Sequence, residues 1–270
     1  MAAARGPKIS VIMGAYNSAS TMHAALDSLF AQDFSDFEVV ITDDGSKDDT
    51  PQILVEYAAR FPTLKICKHP RNLGLASALN TSIAHASGEY LVRQDCDDLS
   101  APERFKVLVA HIDADPTIDV LGTYFRVMDH NGKIWGMVRY PEVAERDQWM
   151  RGTQVAHATV IMKKASVIAV GGYDPKAIRV EDYDLWLRMI GKGMTIKTLP
   201  LPLYTVAWDI GDYKRRTAKA RWQEFKFRFT RFRELGFGLR GCLFSLKPLL
   251  LILLPRTLQF KMHARAFKNV

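Results

Sequence analysis

From Ile9 to about Met128, short runs of Val, Ile, Leu and Met alternate with segments whose apolar residues recur every three or four positions. The runs predict buried strands and the recurring segments predict amphipathic helices. Ile9–Met13 is the first predicted strand. The polar loop Tyr16-Asn17-Ser18 follows, with an Asn or Ser able to cap a helix, and residues 20–31 place Met22, Leu26, Leu29 and Phe30 at helical spacing. Phe37–Thr42 predicts a strand ending in Asp43-Asp44-Gly45-Ser46, then a helix over Thr50–Phe61 and a short strand at Leu64–Cys67. A helix over Ala76–Ala86 stops at Gly88, and a strand at Tyr90–Arg93 runs into Gln94-Asp95-Cys96-Asp97-Asp98. A helix over Pro102–Asp113 and a strand over Val120–Met128 close the pattern.

Strands alternating with helices imply an α/β fold, a mostly parallel central sheet with helices on both faces. Ligands of such sheets sit at the carboxyl ends of the strands. Paired carboxylates follow two of the strands there, at Asp43-Asp44 and at Asp95 to Asp98. The second half is less regular. Asp129-His130-Asn131-Gly132-Lys133 reads as a hairpin turn, Thr159–Met162 as a strand, Lys164–Val170 as a short helix before Gly171-Gly172, and Tyr183–Ile190 as a helix.

Charge divides the chain. Residues 213–270 carry 15 Lys and Arg against two acids, Glu224 and Glu234, whereas residues 1–212 carry 22 basic and 27 acidic residues. A mildly acidic body therefore bears a strongly basic tail, and such segregation points to an anionic partner. The tail interleaves Lys214, Arg215, Arg216, Lys219, Arg221, Lys226, Arg228, Arg231 and Arg233 with Trp222, Phe225, Phe227, Phe229 and Phe232, helical to about Leu235. That composition suits an anionic membrane surface, with Leu243–Leu254 dipping into the headgroup boundary. The same helix could pack its aromatics on the body and leave its charges in water. The apolar stretch, interrupted by Lys247 and Pro248, is shorter than the roughly 20 residues of a bilayer span. No apolar leader precedes Lys8, and three scattered cysteines (Cys67, Cys96, Cys242) suggest reduced thiols in a cytoplasmic setting rather than a disulfide framework.

Three constellations carry candidate chemistry. Three carboxylates within Asp95-Cys96-Asp97-Asp98 repel one another and call for a counter-charge, which hard Mg²⁺ or Mn²⁺ supplies while sharing substrate phosphates. A solvated acidic turn capping the helix at Pro102 would use the same residues. Asp43-Asp44-Gly45-Ser46 offers a carboxylate able to accept from a base N–H, or a cap for the helix at Thr50 through Ser46 or Asp48. Glu181-Asp182-Tyr183-Asp184 sits at a helix start, where a carboxylate is a cap or a general base. The chain has no G-x-G-x-x-G after its first strand, no G-x-x-x-x-G-K-[ST] and no G-x-S-x-G, which excludes dinucleotide, P-loop and hydrolase-elbow sites.

In combination these stretches resemble glycosyltransferase family 2 with the GT-A fold, and most closely the bacterial enzymes of capsule, exopolysaccharide and lipopolysaccharide assembly. The likeness rests on Ile9–Asn17 (ISVIMGAYN), Val40–Thr50 (VITDDGSKDDT), Asn72–Ser82 (NLGLASALNTS), Gly88–Phe105 (GEYLVRQDCDDLSAPERF), Ala156–Met162 (AHATVIM) and Gly171–Arg188, in register. The resemblance implies a Rossmann-like GT-A domain over residues 1–212, with a nucleotide-sugar half at 1–125, an acceptor half at 126–212 and a membrane-associating tail at 213–270. It implies that Tyr16 lies against the base and Asp44 accepts from it. Asp95, Asp97 and Asp98 would hold the ribose–diphosphate and Mn²⁺ or Mg²⁺, Asp98 and Asp97 as metal ligands. Asp182 would be the catalytic base, and His157 would line the acceptor or diphosphate side. Arg93 and Arg104 flank the acidic loop and would support it by ion pairing. Cys96 and Gly14 depart from the family's usual residues, a small residue such as Ala at the first and, in some relatives, Thr or Ser at the second.

The implied activity is inverting, metal-dependent transfer from a nucleotide-sugar, a UDP-sugar favoured, to a hydroxyl of a saccharide acceptor, lipid-linked and met at the inner face of the cell membrane. A nucleotidyltransferase would share the acidic loop but needs a glycine-rich basic phosphate loop, absent from Ser10–Ser18. A non-catalytic module of the same fold would have lost Asp98 or Asp182, and both are present. The acidic body sets nucleic acid aside as a partner.

Overall fold

The computed structural model describes residues 6–129, 131–208, 217–255 and 258–259. The strands are β1 (Ile9–Ala15), β2 (Phe37–Asp43), β3 (Leu64–Lys68), β4 (Tyr90–Arg93), β5 (Leu99–Ser100), β6 (Ile118–Met128), β7 (Ile134–Val138), β8 (Ile161–Lys163) and β9 (Thr195–Ala207). The helices are α1 (Ala19–Phe30), α2 (Thr50–Arg60), α3 (Leu75–His85), α4 (Arg104–Ala114), α5 (Lys164–Ala169), α6 (Glu181–Gly191), α7 (Ala218–Glu234), α8 (Gly238–Ser245) and α9 (Lys247–Leu250).

The nine strands of the described residues form one sheet in the order β3-β2-β1-β4-β8-β6-β9-β5, with β7 added to β6. The first four strands are parallel; β8 runs antiparallel to β4 and β6, and β6 returns to parallel pairing with β9. Side-chain alternation along the strands builds a core on each face. Val11, Met13, Val39 and Ile41 meet Met22, Leu26 and Leu29 of α1, Ile53 and Leu54 of α2 and Phe105 and Leu108 of α4. Ile12 and Val40 look the other way, toward Leu79 and Ile83 of α3 and Leu185, Trp186 and Leu187 of α6. Each large apolar side chain so buried contributes roughly 1.5–3 kcal/mol, which fixes helices to faces.

The predicted α/β architecture is the one observed, with local differences. The strand expected at Thr159–Met162 begins only at Ile161, because His157–Thr159 forms a 3-10 turn. The helix expected from Pro102 begins at Arg104. The longest strand, β9, is absent from the sequence reading; Pro200 and Pro202 interrupt it, and its register against β6 shifts around Thr123, Tyr124 and Phe125. The predicted hairpin joins β6 to β7, with Asp129 Oδ1 accepting from Asn131 and Lys133 N–H; His130 lies outside the described residues.

Of the predicted basic tail, Tyr213 to Arg216 and residues 256, 257 and 260–270 lie outside the described residues. Thr217 caps α7, accepting from Ala220 N–H. One face of α7 packs on the body: Phe232 is buried, Arg228 lies 4.9 Å over the Tyr183 ring, and Arg231 pairs with Asp184 of α6 at 2.8 Å. Among the described residues no helix is long and apolar enough to cross a membrane.

Candidate active site

The carboxyl ends of β2, β1 and β4 lie side by side, so the three loops that leave them share one edge. The β1 loop turns through Asn17, whose positive φ of 50° is tolerated because its amide oxygen accepts from Lys47 N–H at 2.9 Å. This exposes the ring of Tyr16. Ser18 does not cap α1 through its side chain, whereas Asp48 caps the start of α2 as the sequence suggested: it accepts from Thr50 N–H and also from Ala19 N–H, joining the starts of α1 and α2.

Asp44 is buried at the end of β2. Its Oδ1 lies 2.6 Å from His69 Nδ1 and accepts from Leu73 N–H at 2.9 Å, and its Oδ2 accepts from Gly74 N–H at 2.8 Å. A carboxylate offers about four lone-pair sites, so one remains, on Oδ2. Nothing in the local pattern around Asp44 pointed to His69, which is 25 residues downstream. Gly14 has a packing reason, since a Cβ there would stand 3.0 Å from Ala78 and Leu75 of α3.

Beyond β4, Asp95, Asp97 and Asp98 present oxygen atoms within 4.8 Å of one another. The backbone holds the cluster from beneath. Gln94 Nε2 donates to the carbonyls of Asp98 and Asp95 at 2.9 and 3.2 Å, Ala207 N–H donates to Asp98 Oδ1 at 2.9 Å, and Asp95 N–H donates to Tyr204 Oη at 3.1 Å. Cys96 is buried, its thiol directed at the Gly14 carbonyl, a slot that takes a small side chain. Burial, and then the Asp95 and Asp97 charges, push the Asp98 carboxyl well above its ordinary value. Hard oxygen donors crowded by mutual repulsion fit a divalent cation such as Mg²⁺ or Mn²⁺.

Arg93 is buried and pairs with Asp95. Arg104 does not pair with the acidic loop as expected. Its guanidinium donates to Gln94 Oε1, Ser100 Oγ and the carbonyls of Arg93 and Ala158, so it braces the loop's backbone instead. Burial pulls Arg104 down to about 10, still charged at neutral pH.

Asp182 lies in the first turn of α6, where burial raises its carboxyl above the usual range against the pull of Tyr183 N–H and of Arg93. Arg93 thus acts electrostatically on both Asp95 and Asp182. The turn before α6 is fixed by Asn80 of α3, which donates to Tyr173 O at 2.7 Å and accepts from Tyr173 N–H at 2.9 Å. His157 Nε2 shares a 2.7 Å hydrogen bond with Tyr173 Oη, and burial, then the Arg93 charge, hold its imidazole well below its usual value and neutral. Of the helix-start acids, Asp184 is fully buried and bonded to Arg188 and Arg231, a structural role that leaves Asp182 and Glu181 at the edge. Trp208, next to the Ala207 that bonds Asp98, stacks on Trp135 with ring centroids 5.7 Å apart. That pair was invisible in the sequence, because β9 itself was.

The family profile of Glycosyl transferase family 2 matches residues 10–170, more than half of the chain. The chain belongs to glycosyltransferase family 2. This glycosyltransferase is 33% identical to EpsE of Bacillus subtilis (strain 168) over 267 residues, which span 98% of this chain and 96% of EpsE. It is 28% identical over 261 residues to the amylovoran biosynthesis glycosyltransferase AmsE of Erwinia amylovora, spanning 93% of this chain and 96% of AmsE. Its fold matches the mannosyltransferase PcManGT of Pyrobaculum calidifontis, solved with GDP-Man and Mn²⁺, with a TM-score of 0.64 and 23% identity over 97% of this chain and 81% of that one. The enzyme is thus a family 2 glycosyltransferase with the GT-A fold, and the nucleotidyltransferase alternative falls away.

Proposed function

We propose that the enzyme transfers a sugar, with inversion, from a nucleotide-sugar to a hydroxyl of a lipid-linked saccharide during surface polysaccharide synthesis, at the cytoplasmic face of the cell membrane. The observation that carries this reading is the cluster of Asp95, Asp97 and Asp98 oxygens at the carboxyl end of β4, with Asp95 paired to the buried Arg93.

The donor base would stack on Tyr16 and give its N–H to the remaining lone pair of Asp44, which His69, Leu73 and Gly74 hold in place. A UDP-sugar is the favoured donor; the GDP-Man of PcManGT makes GDP the first competitor. Asp98 and Asp97 would hold Mn²⁺ or Mg²⁺, with Asp95 beside the ribose–diphosphate, and the ion would neutralise charge developing on the diphosphate. Asp182 takes the proton of the acceptor hydroxyl as that oxygen attacks the anomeric carbon from the face opposite the diphosphate. A single base and direct displacement give inversion without a covalent intermediate. Neutral His157, hydrogen-bonded to Tyr173, lines the diphosphate or acceptor side. Trp208, which follows the Ala207 that bonds Asp98 and stacks on Trp135, would border the acceptor side. The basic aromatic tail places the enzyme at an anionic bilayer.

The test is donor turnover followed by NMR, with UDP-, GDP- and dTDP-sugars, in Mn²⁺ or in chelator. The reading expects metal-dependent release of one nucleoside diphosphate and a first-formed sugar product of opposite anomeric configuration. Retained configuration, or full turnover in chelator, contradicts it.

A further inference from the structure

Helices α8 and α9 face the wrong way for a helix pair that only packs on its own domain. Their buried positions are Gly241, Ser245 and Pro248. Gly241 is required there, because a Cβ would stand 2.6 Å from Phe237 Cβ and 3.0 Å from Phe232 Cβ at the seam with α7. The large apolar residues are on the outside: Leu239 is 84% exposed, Leu243 69%, Leu246 41%, Leu250 64% and Leu253 80%. Their spacing of four, three, four and three residues is one continuous helical stripe that crosses from α8 through α9 into the 3-10 turn at Leu251–Leu253. Single exposed leucines need no explanation, but a stripe of five marks an interaction surface.

The surroundings of the stripe select its occupant. Residues 217–255 carry eight Lys and Arg against two Glu, and both Glu are already paired within α7. Lys219, Lys226 and Arg233 have no acidic partner among the described residues. The outer side of α7 adds the exposed Trp222, whose ring lies tilted 5.3 Å from that of Phe225, itself 6.1 Å from that of Phe229. A second copy of this chain docked on the stripe about a two-fold axis would set these cations against themselves. An anionic lipid surface accepts leucines, an interfacial Trp and cations together.

We infer that α8 and α9 lie in the plane of an anionic membrane, with Leu239, Leu243, Leu246, Leu250 and Leu253 at the acyl boundary and the cations of α7 at the headgroups. The basic aromatic helix is then the charged flank and the leucine stripe is the anchor. The Arg231–Asp184 pair joins this anchor to α6, which carries Asp182 in its first turn, so docking fixes the direction in which the candidate base faces the bilayer. This inference rests on the membrane placement proposed above and adds which residues enter the lipid.

The test is co-sedimentation of the full chain with vesicles of phosphatidylcholine and phosphatidylglycerol in equal parts, without nucleotide. Wild type is compared with Leu243→Glu/Leu250→Glu and with Lys226→Ala/Arg233→Ala, and the thermal melt of each reports folding. The leucine variant should keep its melt and lose about a hundred-fold in vesicle affinity, whereas the charge variant should lose about ten-fold, and only on the anionic vesicles. Wild type that ignores the vesicles overturns the membrane placement itself. Wild-type binding matched by the leucine variant overturns the anchor and leaves the placement standing. A wild-type dimer in sedimentation velocity that the leucine variant dissolves overturns the anchor in favour of a protein interface. If the glutamates lower the melt, Leu239→Ser/Leu253→Ser, at the two most exposed positions, replaces them with the same expected loss.

Discussion

Arg231 of α7 places its Nε 2.8 Å from Oδ1 of Asp184, two residues after the candidate base Asp182, while Arg188 takes the other carboxylate oxygen. Asp184 is fully buried, so its charge depends on both guanidinium partners. The basic segment that looks separate in the sequence is thereby packed on α6, the helix that carries the candidate base. Arg231→Met should destabilise the enzyme by about 2 kcal/mol. That is less than the 3–5 kcal/mol of breaking a fully buried pair, because Arg231 is partly exposed and Arg188 remains. Urea unfolding checks this; an unchanged midpoint would show that α7 is held by its aromatics alone.

Gly172 tests how the base is aimed. Its φ is +69°, and a Cβ there would meet Asn80 Oδ1 at 2.7 Å, the atom that receives Tyr173 N–H. Gly172→Ala should cost about 1–2 kcal/mol in backbone strain and break the Asn80 clamp, lowering kcat more than it raises donor KM. Equal melts and equal kcat would mean that the turn does not position α6.

Asp182→Asn should keep nucleotide affinity and lower kcat by about 10²–10⁴-fold, the usual worth of a general base. The pH dependence has a definite sign. Burial raises the Asp182 carboxyl above 3.8, and only its ionised form accepts a proton, so kcat should fall as pH drops through that raised value and level off above it. An acid limb that persists in Asp182→Asn would assign it to another group.

Much of this site was legible because local rules and global fold agree over the first four strands. Apolar runs ending in Asp43-Asp44 and Asp95 to Asp98 place the carboxylates at one sheet edge, and parallel order follows from the helices between them. The rest was hidden for separate reasons. Pro200 and Pro202 disguise β9, and with it Tyr204, Ala207 and Trp208, which brace or border the acidic loop. His69 reaches Asp44 from another strand end, a contact without a sequence period. Arg104 reads as an ion-pair partner, yet carbonyl oxygens and not carboxylates surround it. The stripe from Leu239 to Leu253 has the spacing of a core-facing helix, and only the structure shows it turned outward.

Trp208 is the clearest of the acceptor-side predictions. Removing one ring of the stack by Trp208→Ala should raise acceptor KM about ten-fold, near 1.4 kcal/mol, with donor affinity unchanged. Tryptophan fluorescence quenched by p-nitrophenyl glycosides in wild type and not in the variant gives the same answer without turnover. A change in donor affinity alone would move the pair to the nucleotide side.

We propose that Asp98 anchors a metal-dependent nucleotide site. Thermal shifts with UDP, GDP and dTDP, each with and without Mn²⁺, on wild type and Asp98→Ala test it most directly, since a ligand that binds only the folded state raises stability by RT ln(1 + [L]/Kd). The expected result is a rise that needs both one nucleotide and the metal, and that disappears in Asp98→Ala. A rise of the same size in the variant, or one indifferent to Mn²⁺, would contradict it.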